Sequence, residues 1–325
     1  YRRQRQMCIR DSSLDLNNAS DAQLSTVEAI SAWGVSAGVT INLSNQSEGL
    51  VITGGASADA ITGGTGNDTI SSFDGVDTVD GGLGSDVLLL TTTSSALNVA
   101  GDARLSNVEA ISAVGASAGV AIILANQSEG FSITGGGMAD SIAGGSGVDF
   151  INAGNGDDTI NGFVGADTVV GGVGVDTLVL TATTSDLNNA SDAQLSTVEA
   201  ISALGAVSGV TISLANQTEG FSITGGAFAD TLTGGSGNDT FVGFAGADSV
   251  IGGAGIDIIA LSVTSGTLNT AVDQAISGVE AISASGASVG VTINLAAQTE
   301  SFSITGGAGA DSLTGGFGDD TISSF

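Results

Sequence analysis

From Gly54 onward an apolar residue returns every nine positions, flanked on both sides by small or polar ones. Ile61, Ile70, Val79 and Leu88 mark the first run, within segments such as Thr69-Ile70-Ser71. A polar–apolar–polar triplet is the strand period of two, cut to one inward side chain. The six residues before each triplet read G-G-x-G-x-D, as in Gly63-Gly64-Thr65-Gly66-Asn67-Asp68. Their glycines allow left-handed backbone and close approach, so they predict a tight turn. Two nonapeptides complete one flattened turn of eighteen residues. Equivalent triplets then stack as parallel strands ~4.8 Å apart. The predicted fold class is therefore all-β, a parallel β-roll or β-solenoid built from nonapeptide repeats.

Four arrays carry the repeat, at 54–89, 135–179, 225–260 and 306–325, giving fifteen complete units. Between and before them lie spacers at 13–53, 90–134, 180–224 and 261–305 that are copies of one another. Leu195–Ala203 reads LSTVEAISA, and its sisters read LSNVEAISA and ISGVEAISA. Val-Glu-Ala-Ile-Ser-Ala and Phe-Ser-Ile-Thr alternate with period two, which predicts more strands. The three later spacers are forty-five residues long, five nines, so the expectation is an unbroken nine-residue phase and a β-solenoid that continues through them without the Asp-bearing turn and without any ion it would hold. The competing local reading is a helix over DAQLSTVEAI at 21–30, whose apolar residues also fit a helical face.

Position six of the unit is aspartate in all fifteen: Asp59, Asp68, Asp77, Asp86, Asp140, Asp149, Asp158, Asp167, Asp176, Asp230, Asp239, Asp248, Asp257, Asp311 and Asp320. Stacking brings these carboxylates into columns, where like charges repel unless a cation joins them. Oxygen ligands at fixed spacing, with no nitrogen or sulfur, suit Ca²⁺. Pairing units eighteen apart gives seven candidate sites: Asp59 with Asp77, Asp68 with Asp86, Asp140 with Asp158, Asp149 with Asp167, Asp158 with Asp176, Asp230 with Asp248, and Asp239 with Asp257. The alternative for a given aspartate is that it only caps its turn.

The arrays resemble the RTX (repeats-in-toxin) nonapeptides of secreted bacterial proteins. That resemblance implies a parallel β-roll with Ca²⁺ bound in the turns, at the fifteen aspartates. It also implies export by type I secretion, folding on Ca²⁺ outside the cell, and an extracellular or cell-surface location. Ser57 and Met138 depart from the pattern, as do Ser72–Phe73, Ala153–Gly154, Gly162–Phe163 and Gly243–Phe244, and these turns are expected to bind more weakly. Long arrays with regular spacers resemble those of surface-layer proteins and adhesins, for which self-assembly or a cell-surface polysaccharide would be further partners. The alternative is the repeat region of a secreted enzyme or toxin whose catalytic domain lies elsewhere, this chain being a fragment of a larger protein.

The net charge of −29 agrees with a cation-binding role and opposes binding to nucleic acid or an anionic membrane. No run approaches the ~18 apolar residues of a membrane span. Histidine is absent, and outside residues 1–12 there is no lysine, cysteine or tyrosine. That removes Ser–His–Asp and Cys–His nucleophiles, histidine-ligated zinc and Schiff-base lysine, so no enzyme activity is expected here. Each spacer repeats two glutamates: Glu28 and Glu48, Glu109 and Glu129, Glu199 and Glu219, Glu280 and Glu300. A recurring pair reads as architecture, a solvent-facing or turn-bonded carboxylate, rather than as an acid–base dyad. Trp33 is the only tryptophan, and its sisters are Val114, Leu204 and Ser285. Positions such as Thr62, Ser71 and Asp80 are too mixed for an ice-binding threonine ladder.

The head stands apart. Residues 1–12 hold four of the five arginines and the only cysteine, Cys8, while Asp15–Ala32 is identical to Asp186–Ala203. Homology to the sister spacers stops near Ser12–Leu14. Met7–Asp11 also back-translates to a run similar to transposase mosaic-end DNA. The head is therefore expected to be an adapter-derived scar, with a cationic arm as the alternative.

Overall fold

The computed structural model describes residues 6–8, 14–71 and 73–324. The expectation for the head thus falls largely outside the described residues. Only Gln6–Cys8 is placed, as a strand parallel to Ala29–Ser31.

The chain is a parallel β-solenoid of short strands, with little helix, and it forms two compact units. The first holds the described residues up to Thr159 with Asp167–Gly174, and the second holds Ile160–Ala166 with those from Val175 onward.

In the first unit one sheet runs through Ala29–Ser31, Val51–Thr53, Thr69–Ser71, Val87–Leu89, Ala110–Ser112, Ser132–Thr134, Phe150–Asn155 and Thr168–Val173, each hydrogen-bonded to the next. A second sheet takes the alternate strands Thr40–Asn42, Ala60–Thr62, Thr78–Asp80 and Leu105–Ser106. Ala121–Ile123 pairs separately with Ser141–Ala143. The second unit repeats this plan. Its main sheet includes Thr177–Val179, Ala200–Ser202, Ser222–Thr224, Thr240–Val242 and Ile258–Ala260, and continues to Thr321–Ser323.

The middle residue of the three-residue strands from Ala29–Ser31 to Ser303–Thr305 is buried, as the triplet pattern predicts, whereas Ile322 in the last strand is exposed. Ile52, Ile70, Leu88, Ile111, Ile133, Ile151 and Val169 form one column, none more than 1% exposed. A strand with one inward side chain can bury only one large apolar group. The core is therefore a stack of single aliphatic residues, each contributing ~1.5–3 kcal/mol by burial. At three of the four broken glycine pairs a phenylalanine stands in the second place, and Phe73, Phe163 and Phe244 are all buried.

The structure corrects the expectation of an unbroken nine-residue phase. Inside an array the register advances by eighteen, as from Thr69 to Val87. Across a spacer it advances by twenty-three, Val87 to Ala110, and then by twenty-two, Ala110 to Ser132. The second unit does the same from Thr177 to Ala200 to Ser222. Forty-five residues thus make two wide turns rather than two and a half narrow ones. Leu88 and Ile133 consequently share a sheet, where five strict nonapeptides would have placed them on opposite ones. The extra length enters as a helical turn beside the sheet, at Leu97–Val99, Ser185–Asn189 and Leu268–Thr270, whose Leu97, Leu187 and Leu268 are buried.

The rival helix over 21–30 is realised only as the four residues Asp21–Leu24. Its sisters shrink to the 3₁₀ turns Asp192–Gln194 and Asp273–Ala275. A reciprocal cap between Ser20 and Gln23 starts the turn. Stacking of Ala29–Ser31 on Val51–Thr53 ends any further helix.

The second broken pair, Ala153–Gly154, also behaves distinctively. There the strand does not turn but runs on, so that Phe150–Asn155 pairs with Thr168–Val173 at five positions, Gly154 opposite Gly172.

Candidate metal centre

The aspartates form hydrogen-bonded ladders. The N–H of Asp59 donates to Asp77 Oδ1 at 2.8 Å, and that of Asp68 to Asp86 Oδ1 at 2.7 Å. The same bond joins Asp140 to Asp158, Asp149 to Asp167, Asp230 to Asp248 and Asp239 to Asp257, at 2.7–3.0 Å. Six of the seven expected pairs lie within one unit, and all six are linked directly. Turn stacking, not side-chain reach, brings them together.

The second carboxylate oxygen divides the aspartates. In the two opening turns of every array Oδ2 accepts the N–H of the turn's second glycine. Asp59, Asp68, Asp140, Asp149, Asp230, Asp239, Asp311 and Asp320 bond in this way to Gly55, Gly64, Gly136, Gly145, Gly226, Gly235, Gly307 and Gly316. These eight cap their own turns, as the alternative reading allowed, though each oxygen keeps a second lone pair. Asp248 Oδ2 is held by the Ala245 N–H. Oδ2 of Asp77, Asp86 and Asp257 is buried with no hydrogen-bond partner. Asp176 is buried as well. In these later turns the backbone opens, with Gly82 and Gly84 at φ +101° and +136°.

A buried carboxylate without a counter-charge is costly, and the acidities follow. Burial, with smaller contributions from neighbouring aspartates, pushes the Asp77 and Asp86 carboxyls up to about 6. Burial also raises Asp68, Asp149, Asp239, Asp248 and Asp257 above the usual carboxylate range. Among the described residues no group of three or more acidic side chains could hold a metal ion by itself. The ladder supplies one carboxylate per turn. An ion between turns would need backbone carbonyls to complete the six to eight oxygens that Ca²⁺ takes. The donor set fits that ion: hard oxygens, closely stacked carbonyls, and buried carboxylate oxygens lacking a partner.

The spacers contribute anchors that the repeat pattern does not mark. Glu109 Oε2 accepts the Asp86 N–H at 2.7 Å, Glu199 that of Asp176 at 2.8 Å, and Glu280 that of Asp257 at 2.7 Å. These glutamates are turn-bonded and occupy the place of the next aspartate. Asp21, Asp102, Asp192 and Asp273 each accept both the N–H and the hydroxyl of a Ser or Thr twenty-six residues on. Those bonds hold the Asp21 and Asp102 carboxyls below the usual range. The buried amides of Gln46, Gln127, Gln217 and Gln298 donate to the carbonyls of Ala19, Ala100, Ala190 and Ala271. Arg104, the one basic residue of the repeat body, donates from Nε to the Asp77 carbonyl and lies 5.5 Å from the Phe73 ring centroid. Sequence reasoning assigned Arg104 and the four glutamines no role. The fourfold recurrence of the glutamine in N-Q or A-Q before Ser/Thr-Glu was the available signal.

The architecture is that of a calcium-binding repeat solenoid. The family model of the RTX calcium-binding nonapeptide repeat, four tandem copies, matches residues 53–88, 134–162, 143–178, 224–259 and 303–324. The four arrays are thus similar to the RTX calcium-binding nonapeptide repeat, and Ca²⁺ is the ion that such repeats bind. No curated protein matches the chain. Among the described residues no helix is long and apolar enough to cross a membrane.

Proposed function

We propose that the fifteen repeat aspartates are the calcium-binding residues of an exported structural segment that folds when it meets Ca²⁺ outside the cell. The observation carrying this reading is the stacked ladder, whose buried, unpartnered Oδ2 atoms at Asp77, Asp86 and Asp257 call for a cation. Without the ion the carboxylates repel, and the chain stays open for passage. With it, the turns close and the single-residue core stacks. A cysteine-free repeat body that carries its stability in metal sites suits a surface-layer or adhesin role, and self-assembly or binding of a surface polysaccharide would follow from that role. No catalytic duty is assigned to these residues.

Circular dichroism of the full chain in EGTA, and again in about 10 mM calcium chloride, tests this reading, because extracellular modules bind in the millimolar range. A β signal that grows on adding calcium is expected. The same spectrum in both solutions would remove the folding switch.

A further inference from the structure

We infer that each of the first three arrays ends in an additional calcium site completed by the following spacer, with Glu109, Glu199 and Glu280 as ligands. The inference rests on the calcium reading above but concerns residues outside the nonapeptide pattern, whose matches stop at 88, 178 and 259.

Inside an array, a turn is completed by the one eighteen residues on. A Cβ added to Gly63 would run into the carbonyl of Gly81 and into Asp68 Oδ2, so these two oxygens face one another across the missing side chain. Above them Asp86 Oδ1 holds the Asp68 N–H. At the last turn no further nonapeptide follows, yet the same constellation recurs. A Cβ on Gly81 would meet the carbonyl of Asn107 and Asp86 Oδ2. Glu109 Oε2 holds the Asp86 N–H. In the third array the members are Gly252, the carbonyl of Gly278, Asp257 Oδ2 and Glu280.

The backbone is bent to achieve this. Asn107, Thr197 and Gly278 stand at equivalent places in the three spacers, all in the left-handed region with φ of 50°, 49° and 59°. That conformation is uncommon for asparagine and rarer still for threonine. It turns the carbonyl toward the array two residues before the glutamate. The carbonyl and the carboxylate, five residues apart in a nonapeptide, are here only two apart. The longer glutamate side chain spans the difference.

The independent sign of a missing ligand is the state of the buried aspartates. Asp86 and Asp257 are both 0% exposed, and their Oδ2 atoms have no partner. The unsatisfied Oδ2, the turned carbonyl beside it and the glutamate carboxylate on the aspartate N–H are hard ligands for a divalent cation of calcium's size. A glutamate that merely capped the Asp86 N–H would leave that oxygen without a purpose.

Equilibrium dialysis of the full chain against radioactive calcium, at the lowest concentration saturating the wild type, gives ions bound per chain. The triple variant E109Q/E199Q/E280Q keeps an acceptor for each N–H but loses the charge, and it should bind three fewer ions. Each single variant should lose one. The control E129Q/E219Q/E300Q removes the same charge from the other spacer glutamates and should bind as the wild type does. Equal binding by the first triple and the wild type overturns the exit site while leaving the arrays' calcium intact. Equal losses in the two triples, or loss of several ions from one single variant, overturn it too. A wild type that takes up no calcium defeats the calcium reading itself, and the exit site with it.

Discussion

The main-chain N–H of Asp68 donates to Oδ1 of Asp86, eighteen residues later, at 2.7 Å. The chain of bonds extends both ways, from the Leu50 N–H to Asp68 Oδ1 and from the Asp86 N–H to Glu109 Oε2. A column of like charges is thereby also a column of charge-assisted hydrogen bonds, each roughly twice as strong as a neutral one. Attraction along the ladder and repulsion between its carboxylates coexist, and a divalent cation resolves that tension.

Asp68→Asn should therefore destabilise even the calcium-loaded chain. The amide oxygen can still accept from Leu50, but the new NH₂ must replace the oxygen that accepts the Gly64 N–H at 2.9 Å. A buried N–H left facing another donor costs ~1–3 kcal/mol. Thermal melting in saturating calcium should show a lower midpoint, and lower still for Asp68→Ala. An Asn variant that melts with the wild type would mean that the Gly64 bond is unimportant.

Metal-free stability should fall as pH rises through about 6. Asp77 and Asp86 titrate at about 6 when folded, against an ordinary 3.8. Between those values the folded chain holds more protons than the unfolded one, so stability decreases with pH. In EGTA, more β structure is expected at pH ~5 than at pH ~7.5. With calcium the trend should reverse, because protons then compete with the ion. A metal-free spectrum unchanged across that range would contradict the burial of these carboxylates.

Truncating the core column should be costly and local. Ile133 is 0% exposed between Ile111 and Ile151, and Ile133→Ala should cost ~2–5 kcal/mol. Trp33 is 82% exposed, and Trp33→Ala should stay within ~0.5 kcal/mol. Because repeats contact mainly their neighbours, hydrogen exchange should show lost protection around 110–152 and little change in distant arrays. Uniform loss along the chain would indicate a single cooperative unit instead.

Gly82 adopts φ +101° and lies against the Gly64 carbonyl, leaving no room for a Cβ. Gly82→Ala should cost ~1–3 kcal/mol in backbone strain alone and weaken calcium binding at the first array. Gly205→Ala, with nothing within 4 Å of the added carbon, is the matched control. Calcium titrations followed by circular dichroism should separate the two, and overlapping titrations would refute the steric account.

Much of this protein was legible without coordinates. The triplet with one inward residue, the parallel stack, the turn aspartates and their eighteen-residue pairing all follow from a strict period, because a repeating local geometry can close only in a limited number of ways. The spacers resisted, because alternation in Val108–Ala113 identifies strands but not how many residues each turn takes. Length alone suggested five nines. The structure shows two turns of twenty-three and twenty-two residues, since the helical segment carrying Leu97 takes up the surplus and buries that leucine beside the sheet. The glutamates were visible as a recurring pair, yet their spacing could not reveal which of them meets an array.

The sequence by itself determined the class of fold, the identity of the repeating carboxylates and the kind of ion they suit, because those depend on chemistry within nine residues. Only the tertiary structure decided which carboxylate oxygens are occupied and which are left without a partner, and that Glu109, Glu199 and Glu280 sit where an aspartate would come next. Those outcomes depend on stacking between residues eighteen to twenty-three apart, where the turn geometry of one layer fixes the neighbours of the next.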